Sequence, residues 1–254
     1  MAEVLQNNKK AIVIGASSGI GRAVAKILAE NGYTVGLTAR RTKLLEQLQK
    51  EISTKTYVKW IDISKQQQAM GILTELIAEM GGMDLIVINS GINTHNIALD
   101  WQGEIDTIDV NTAGFAAMAN VALKHFLAQK SGHLVGVSSI AGLRSSPNCS
   151  YSASKAFVSN YLRGLRYRLA GSNIAVTDLC PGFVDTEMIK DQKFLFWVAS
   201  PEGAARQILR AIQKKKSFAF ITRRWRIIAG LVNFVPESIY GWVYKKIENI
   251  NRYD

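Results

Sequence analysis

Short apolar runs alternate with longer segments of mixed apolar and polar residues along most of the chain. The uninterrupted run Ala11–Ile14 predicts a strand buried on both faces of a parallel sheet. Comparable runs predict strands at Thr34–Thr38, Thr56–Trp60, Leu85–Ile88, Leu134–Val137, Ile174–Leu179 and Ser217–Ile221. Helices are predicted at Arg22–Asn31, Lys43–Ile52, Lys65–Met80, Ile105–Gln129 (two helices or one kinked helix), Tyr151–Ala170 and Pro201–Lys214. This alternation is typical of an α/β domain with a parallel sheet.

Composition is that of a folded globular protein. The 254 residues are 48% hydrophobic with a mean hydropathy of +0.04, a balance that excludes a disordered chain. Cys149 and Cys180 are the only cysteines, and their spacing fits neither a metal site nor a disulfide framework. We therefore expect no bound metal and a reducing, cytoplasmic compartment. Residues 1–10 lack the apolar core of a signal peptide, and no apolar run approaches the roughly 18 residues of a membrane-spanning helix.

The first predicted strand leads directly into a glycine-rich turn and then a predicted helix. In the spacing Gly-x-x-x-Gly-x-Gly, Gly15 permits the tight turn, Gly19 lets the backbone approach a phosphate, and Gly21 lets helix and strand pack closely. Free N–H groups and the positive end of the helix dipole would face the anion. An ordinary glycine-rich turn is the alternative. We predict a dinucleotide site that includes Gly15, Ser17, Ser18, Gly19, Ile20 and Gly21.

A phenol and an ammonium group lie four residues apart at Tyr151 and Lys155. On a helix these positions share one face, so the two side chains can converge. A tyrosine has a pKa of about 10, and a nearby cation lowers it by about 1–3 units. The pair therefore predicts a tyrosine that exchanges protons near neutral pH. An ordinary surface pair on a helix is the alternative, because the spacing alone is common.

These motifs, followed in order by Asn111 and Ser139, resemble those of the short-chain dehydrogenase/reductase family. The resemblance extends from about Lys10 to about Ile221. It implies an α/β fold with a single Rossmann-type, doubly wound parallel sheet of about seven strands and helices on both faces. It also implies hydride transfer between a nicotinamide dinucleotide and a carbonyl or alcohol.

The resemblance implies a role for each catalytic residue. Ser139 would donate a hydrogen bond to the substrate oxygen, and Tyr151 would give the proton in reduction or take it in oxidation. Lys155 would lower the pKa of Tyr151 and bind the nicotinamide ribose, while Asn111 would hold a water that links Lys155 to solvent. Ser138, the neighbour of Ser139, is interpreted as a structural hydroxyl at a strand end.

Cofactor choice is predicted from the end of the second strand. Ala39 stands where an enzyme selective for NAD usually has a carboxylate, and Arg40 and Arg41 follow it. Guanidinium groups match the 2′-phosphate of NADP, so NADP(H) is the predicted cofactor; a solvated basic turn is the alternative. The resemblance adds these cofactor-binding residues: Asp62, Ile63, Asn89, Gly91, Tyr151, Lys155, Pro181, Gly182, Val184 and Thr186.

The chain departs from the family pattern at three places. Ile14 replaces a common threonine, Ser90 replaces a common alanine, and the stretch from Ser139 to Tyr151 is one residue shorter than in many relatives. None of these departures removes a reacting group, but they leave the substrate open. The apolar residues Phe194, Leu195, Phe196 and Trp197 fall where family members close a loop over substrate, which favours a lipophilic ketone or aldehyde. A packed loop is the alternative.

Positive charge is concentrated towards the C-terminus. The chain carries a formal charge of +11, and from Lys190 onward 13 basic residues face 5 acidic ones. We expect a catalytic domain at 1–222 and a basic, amphipathic helical extension at 223–254. Basic residues beside tryptophans suit an anionic membrane surface, which would make the protein membrane-peripheral. Helices that cover the core or a partner subunit are the alternative, and nucleic acid is not expected because no binding motif accompanies the charges.

Together these features predict an NADP(H)-dependent carbonyl reductase that acts on a small molecule. The family relationship also implies a homodimer or homotetramer, formed through the predicted helices Ile105–Gln129 and Tyr151–Ala170. Two alternatives remain. One is an NAD-dependent secondary-alcohol dehydrogenase of the same fold, and the other is an NADP-sensing scaffold without catalysis, which would have no need of all four catalytic residues.

Overall fold

Seven parallel strands form one sheet in the order β3-β2-β1-β4-β5-β6-β7. The computed structural model of the protein describes residues 9–96, 98–190, 195–232 and 234–242. The strands are β1 Lys10–Ile14, β2 Thr34–Ala39, β3 Thr56–Trp60, β4 Leu85–Ile88, β5 Gly132–Val137, β6 Ile174–Pro181 and β7 Phe218–Ile221. Each predicted strand is present, because a strand covered on both faces leaves a continuous apolar run in the sequence.

Helices connect the strands and cover both faces of the sheet. They are α1 Gly19–Glu30, α2 Thr42–Glu51, α3 Gln66–Glu79, α4 Trp101–Ile108, α5 Phe115–Gln129, α6 Cys149–Arg168, α7 Pro201–Gln213 and α8 Trp225–Val232. Ala11 and Val13 pack with α1, α2 and α7, whereas Ile12 and Ile14 pack with α3, α5 and α6. This double-sided core confirms the prediction of a doubly wound α/β fold.

The differences from prediction lie at helix ends and in one long helix. Helix α1 begins at Gly19 rather than Arg22, so the last residues of the glycine-rich motif already belong to its first turn. The predicted helix Ile105–Gln129 is α4 and α5, joined through the π-helical turn Asp109–Gly114. Such turns insert a residue into a helix and often mark functional sites. Here the turn contains Asn111.

The order of the strands creates a crevice at one edge of the sheet. From β1 the chain continues to β2 and β3 on one side, and β4 then starts the other half beside β1. The loops that leave β1 and β4 therefore diverge. In open α/β sheets, ligands bind where the carboxyl ends of the strands meet such a divergence.

A buried histidine, His133, lies far from this crevice, near the start of β5. His133 Nε2 lies 2.7 Å from Thr177 Oγ1, and the Thr177 hydroxyl donates its proton to the backbone oxygen of Lys216. The imidazole therefore acts as the donor to Thr177. Burial lowers the pKa of His133 from 6.5 to about 4, and the charge of Lys215 acts in the same direction. The folded chain thus keeps His133 neutral where the unfolded chain would protonate it.

Stability is therefore expected to fall as the pH drops through the window between 6.5 and about 4. Over this range His133 binds a proton in the unfolded state but not in the folded state. The free energy of unfolding should therefore fall by about 2 kcal/mol between pH 7 and pH 5. Urea unfolding at the two pH values measures this. His133→Gln should flatten the dependence and His95→Gln, at an exposed site, should keep it; an unchanged slope in His133→Gln would contradict the assignment.

Candidate active site

A cavity of about 980 Å³ opens at the carboxyl edge of the sheet. Of the predicted site residues, the cavity is lined by Gly15, Ser17, Ser18, Gly19, Ile20, Arg40, Arg41, Asp62, Ile63, Asn89, Gly91, Ser139, Tyr151, Lys155, Pro181, Gly182, Val184 and Thr186. Gly21 and Asn111 are buried next to it. The volume is at the upper end of the range for small-molecule sites and has room for a dinucleotide with a substrate.

The glycine turn forms a cradle that a larger residue would fill. Gly15 and Gly19 have φ values of +88° and +54°, in the left-handed region that favours glycine. A Cβ on Gly15 would lie 2.6 Å from Ser90 Oγ, and one on Gly21 would lie 2.0 Å from the Gly15 backbone oxygen. Ser18, at the N-cap of α1, makes no capping hydrogen bond with its side chain, and the first turn of α1 holds no acidic residue. The turn therefore fits an anionic phosphate group.

The two arginines after β2 reach different surroundings. Arg41 donates to Ser18 Oγ at 2.5 Å and to Ser17 Oγ at 3.2 Å, and it pairs with Glu187 at 2.8 Å. Its guanidinium group thus lies directly against the glycine turn, where the adenosine end of a dinucleotide would lie. Arg40 is exposed beside it. Glu187 was missed from the sequence because it lies 146 residues away, in the loop after β6.

The remaining predicted cofactor residues lie at neighbouring strand ends. Asn89, after β4, donates to the backbone oxygen of Gly15 at 3.1 Å and so ties β4 to the glycine turn. Asp62, after β3, accepts from the backbone N–H and the hydroxyl of Ser64 through one carboxylate oxygen. Thr186 lies beside the glycine turn, since a Cβ on Gly19 would be 2.8 Å from its methyl carbon. Successive parallel strands thus bring these residues together.

Ser138 and Ser139, at the end of β5, have different surroundings. Ser138 is buried, and its hydroxyl donates to Asp178 Oδ1 at 2.6 Å. Ser139 faces the cavity, where it accepts from the backbone N–H of Ala141 and shares a hydrogen bond with Tyr151. Ser138 is therefore a structural hydroxyl, and the role of Ser139 at the substrate oxygen stays a prediction.

Tyr151 and Lys155 lie one turn apart on α6, as the spacing predicts. The Tyr151 hydroxyl lies 3.8 Å from the sulfur of Met188. The Lys155 ammonium lies 5.8 Å from the centre of the Tyr151 ring and donates to the backbone oxygen of Val137 at 3.1 Å. Burial lowers the pKa of Lys155 to about 8, opposed by the negative charge of Asp178.

The pKa of Tyr151 is raised in this structure, so its net direction is opposite to the predicted lowering, while the predicted contribution of Lys155 stays a prediction. Burial raises the pKa of the phenol, the hydrogen bond with Ser139 opposes the rise, and Cys180 adds to it. The sequence shows the neighbouring cation but not the loss of water around both groups, which disfavours the charged form of each. A protonated phenol is the form that can donate to a carbonyl oxygen.

Asn111 lies in the π-helical turn, next to Lys155. Its side chain accepts from the backbone N–H of Ile92 at 2.8 Å and donates to the backbone oxygen of Ile92 and to Ser154 Oγ. A Cβ on Gly91 would lie 3.3 Å from Asn111 Oδ1 and 3.1 Å from Lys155 Nζ. Asn111 and Lys155 therefore border the same small space, and the predicted water link between them stays a prediction.

One wall of the cavity contains residues that the sequence did not assign. Met188 lies at the Tyr151 hydroxyl, and Trp225, Ile228 and Tyr240 supply an apolar wall. Arg144 anchors that wall: it donates to the backbone oxygen of Val235 at 2.5 Å, pairs with Glu237 at 3.6 Å, and lies 4.1 Å above the Tyr240 ring. Contacts across 91 residues leave no local signal in a sequence.

The predicted substrate loop is partly described. Phe196 lines the cavity, and its ring packs against Trp225 in a tilted arrangement at a centroid distance of 5.0 Å. Trp197 contacts both Phe196 and Trp225 edge to face, and Phe194 lies outside the described residues. The described residues contain no cluster of three or more His, Cys, Asp or Glu side chains able to hold a metal ion.

Comparison with known proteins gives the family. The short chain dehydrogenase model matches residues 9–193. An uncharacterized oxidoreductase of Myxococcus xanthus is 39% identical over 76% of this chain and 78% of its own length. The 3-oxoacyl-[acyl-carrier-protein] reductase FabG of Chlamydia muridarum is 32% identical over 72% of this chain and 77% of its own.

The fold of the chain is also found in a solved structure. A short-chain dehydrogenase/reductase from Burkholderia phymatum in complex with NAD superposes with a TM-score of 0.79 at 21% identity, covering 89% of this chain and 93% of its own. The chain therefore belongs to the short-chain dehydrogenase/reductase family and is an oxidoreductase of that family.

Proposed function

We propose that the protein is an NADPH-dependent reductase of lipophilic ketones or aldehydes. The observation that carries the proposal is the placement of Ser139, Tyr151 and Lys155 around one cavity whose phosphate end is closed by Arg41. A nicotinamide dinucleotide supplies or accepts the hydride when it is bound, and the protein supplies orientation and electrostatics.

In the proposed reaction, Ser139 donates a hydrogen bond that orients the substrate carbonyl. Tyr151 donates its proton to the carbonyl oxygen as negative charge develops there. Lys155 stabilises the resulting phenolate, since its ammonium group lies on the same side of α6. Burial raises the pKa of Tyr151, so at neutral pH the phenol holds the proton that reduction requires.

The choice of NADPH is supported by charge at the end of β2. Ala39 leaves no carboxylate for a ribose 2′-hydroxyl, and Arg41 lies against the glycine turn through Ser17 and Ser18. A guanidinium fork matches phosphate in shape and charge. The fold alone does not choose, because the Burkholderia phymatum structure is a complex with NAD.

The apolar wall supports a lipophilic substrate. Met188, Phe196, Trp225, Ile228 and Tyr240 line the same cavity as Tyr151, and Met188 lies at its hydroxyl. The relative named as a 3-oxoacyl-[acyl-carrier-protein] reductase agrees with reduction of a ketone. A panel of short polar, aromatic and long-chain carbonyl compounds, followed by NADPH absorbance, tests the proposal. Turnover should rise with chain length, and absence of turnover across the panel would contradict it.

The alternative function is an NAD-dependent oxidation of a secondary alcohol at the same residues. Titration of the protein with NADPH and NADH by tryptophan fluorescence separates the two. Equal or tighter binding of NADH would favour the alternative. A scaffold without catalysis is distinguished by binding NADPH tightly while showing no turnover.

The proposal includes a cytoplasmic homo-oligomer. The cytoplasmic location is proposed from the cysteine content, since two cysteines without a disulfide framework suit a reducing compartment. Helix α6 exposes Phe157 and Tyr167, and α5 exposes Leu127, so the two helices offer apolar side chains to a partner subunit. Light scattering of the purified protein tests the oligomer, and a monomer at micromolar concentration would contradict it.

The pH dependence of reduction is expected to follow Lys155. Because burial lowers its pKa to about 8, the ammonium is present below that pH and lost above it. The value of kcat/KM for reduction should be level below pH 8 and fall about tenfold per pH unit above it. A pH profile with NADPH measures this, and a level profile up to pH 10 would contradict the role of the charge.

Arg144 is expected to set the affinity for substrate. It holds the segment of Val235, Glu237 and Tyr240 over the cavity, so Arg144→Gln should loosen that wall. We expect the KM of a long-chain carbonyl to rise about 5–20-fold, from the loss of a charged hydrogen bond, with a smaller change in kcat. Arg210→Gln, at an exposed site on α7, is the matched control. A fall in kcat with constant KM would contradict this positioning role.

A further inference from the structure

The C-terminal part of the described chain exposes large apolar side chains next to the cavity. Helix α8 exposes Ile227 and Leu231 on its outer side, at 65% and 63% of their surface. Phe234 is 87% exposed beyond the helix end, and Trp242 is 62% exposed. The inner side of α8 carries Trp225, Ile228 and Ala229, which line the cavity. One helix therefore separates the cavity from this surface, which we call the C-terminal surface.

The loop before α7 extends the C-terminal surface. Phe196, Trp197 and Val198 are exposed, and Trp197 packs against Trp225 at a ring distance of 5.9 Å. Arg224 donates to the backbone oxygen of Trp197 and lies 5.6 Å from its ring. The loop and α8 thus form one continuous apolar patch. Such a patch marks an interaction site, whereas apolar residues scattered singly over a surface do not.

The charge around the patch is positive. From Ile221 to Trp242 the sequence contains three arginines, Arg223, Arg224 and Arg226, and one acidic residue, Glu237. All three arginines are exposed, and Glu237 is paired with Arg144. A symmetric dimer through this patch would place the same arginines opposite each other, since a two-fold interface brings a surface against its own copy. A partner that fits the C-terminal surface therefore carries negative charge on its outside and is apolar beneath that charged layer.

We propose that the C-terminal surface docks on an anionic lipid bilayer. Arginines at the level of the headgroups and apolar side chains below them are the pattern of interfacial membrane segments. Within the described part of the chain, no helix is long and apolar enough to cross a bilayer. Where the proposed function holds, docking also places the cavity wall at the membrane, and a lipophilic carbonyl can enter from the lipid.

The docking is tested by flotation of the whole protein with vesicles of phosphatidylcholine, alone or in an equal mixture with phosphatidylglycerol. We expect binding to the mixture and weak binding to phosphatidylcholine alone. Arg223→Gln/Arg226→Gln should weaken binding to the mixture by roughly fivefold for each arginine. Ile227→Ser/Leu231→Ser should weaken it further at raised salt, where charge is screened and apolar contact remains.

The matched control removes two charges at the other edge of the sheet. Lys214 and Lys216 precede β7, whereas the arginines follow it, so Lys214→Gln/Lys216→Gln changes the net charge equally at a distant site. This variant should bind like the parent protein. Equal loss in both double variants, or binding unaffected by either change to the C-terminal surface, would overturn the proposal. Flotation requires no turnover, so failure of the reductase proposal would show only in the activity assay.

Discussion

Replacing Tyr151 by phenylalanine is expected to lower kcat for carbonyl reduction by about 10²–10⁴-fold, the usual contribution of a positioned proton donor. The ring of phenylalanine fits the same space, since the hydroxyl contacts only the edge of the cavity near Met188 and Ser139. What the variant loses is the proton that the carbonyl oxygen receives. Steady-state reduction of the best substrate from the carbonyl panel measures the effect.

Binding of NADPH separates loss of chemistry from loss of structure in that experiment. Tyr151→Phe should change the Kd of NADPH by less than about tenfold, the range of one neutral hydrogen bond. Tyr161→Phe is the matched control: it lies on the same helix, packs against Phe115 and Phe157, and should turn over like the parent protein. Unchanged turnover in Tyr151→Phe would remove the tyrosine from the mechanism, and with it the proposed reaction.

The parts of the fold that the sequence predicts are those encoded by neighbouring residues. Each strand leaves a continuous apolar run because both faces of the sheet are covered. Gly15, Gly19 and Gly21 are recognisable because their backbone and packing tolerate no side chain. Tyr151 and Lys155 are recognisable because one helical turn fixes their relation.

The parts that the sequence does not predict depend on distant residues or on burial. Arg41 meets Glu187 and Arg144 meets Tyr240 only after the sheet has brought their loops together. The pKa of Tyr151 has the opposite direction to the prediction, because the cavity removes water from phenol and ammonium alike. A motif thus identifies which groups meet, and the three-dimensional surroundings decide which protonation state each prefers.

Selectivity for NADPH over NADH is expected to be lost when the arginines after β2 are removed. A charged hydrogen bond contributes about 1.5–3 kcal/mol, so Arg41→Ala should raise the Kd of NADPH about 10–100-fold, and Arg40→Ala/Arg41→Ala should raise it further. NADH lacks the 2′-phosphate, so its Kd should change far less. Fluorescence titration of each variant with both dinucleotides measures the ratio, with Arg168→Ala, on the exposed end of α6, as the control.

Removing the charge of Glu187 is expected to change NADPH affinity in the opposite direction to removing Arg41. Its carboxylate pairs with Arg41 at 2.8 Å and so occupies the guanidinium that would receive the 2′-phosphate. Both side chains are about half exposed, and such pairs contribute up to about 1 kcal/mol. Glu187→Gln should therefore tighten NADPH binding by up to about fivefold and leave NADH unchanged. The Arg41 and Glu187 variants could instead change the Kd of NADPH and the Kd of NADH by the same factor. That result would mean that Arg41 shapes the glycine turn through Ser17 and Ser18 and does not bind the 2′-phosphate.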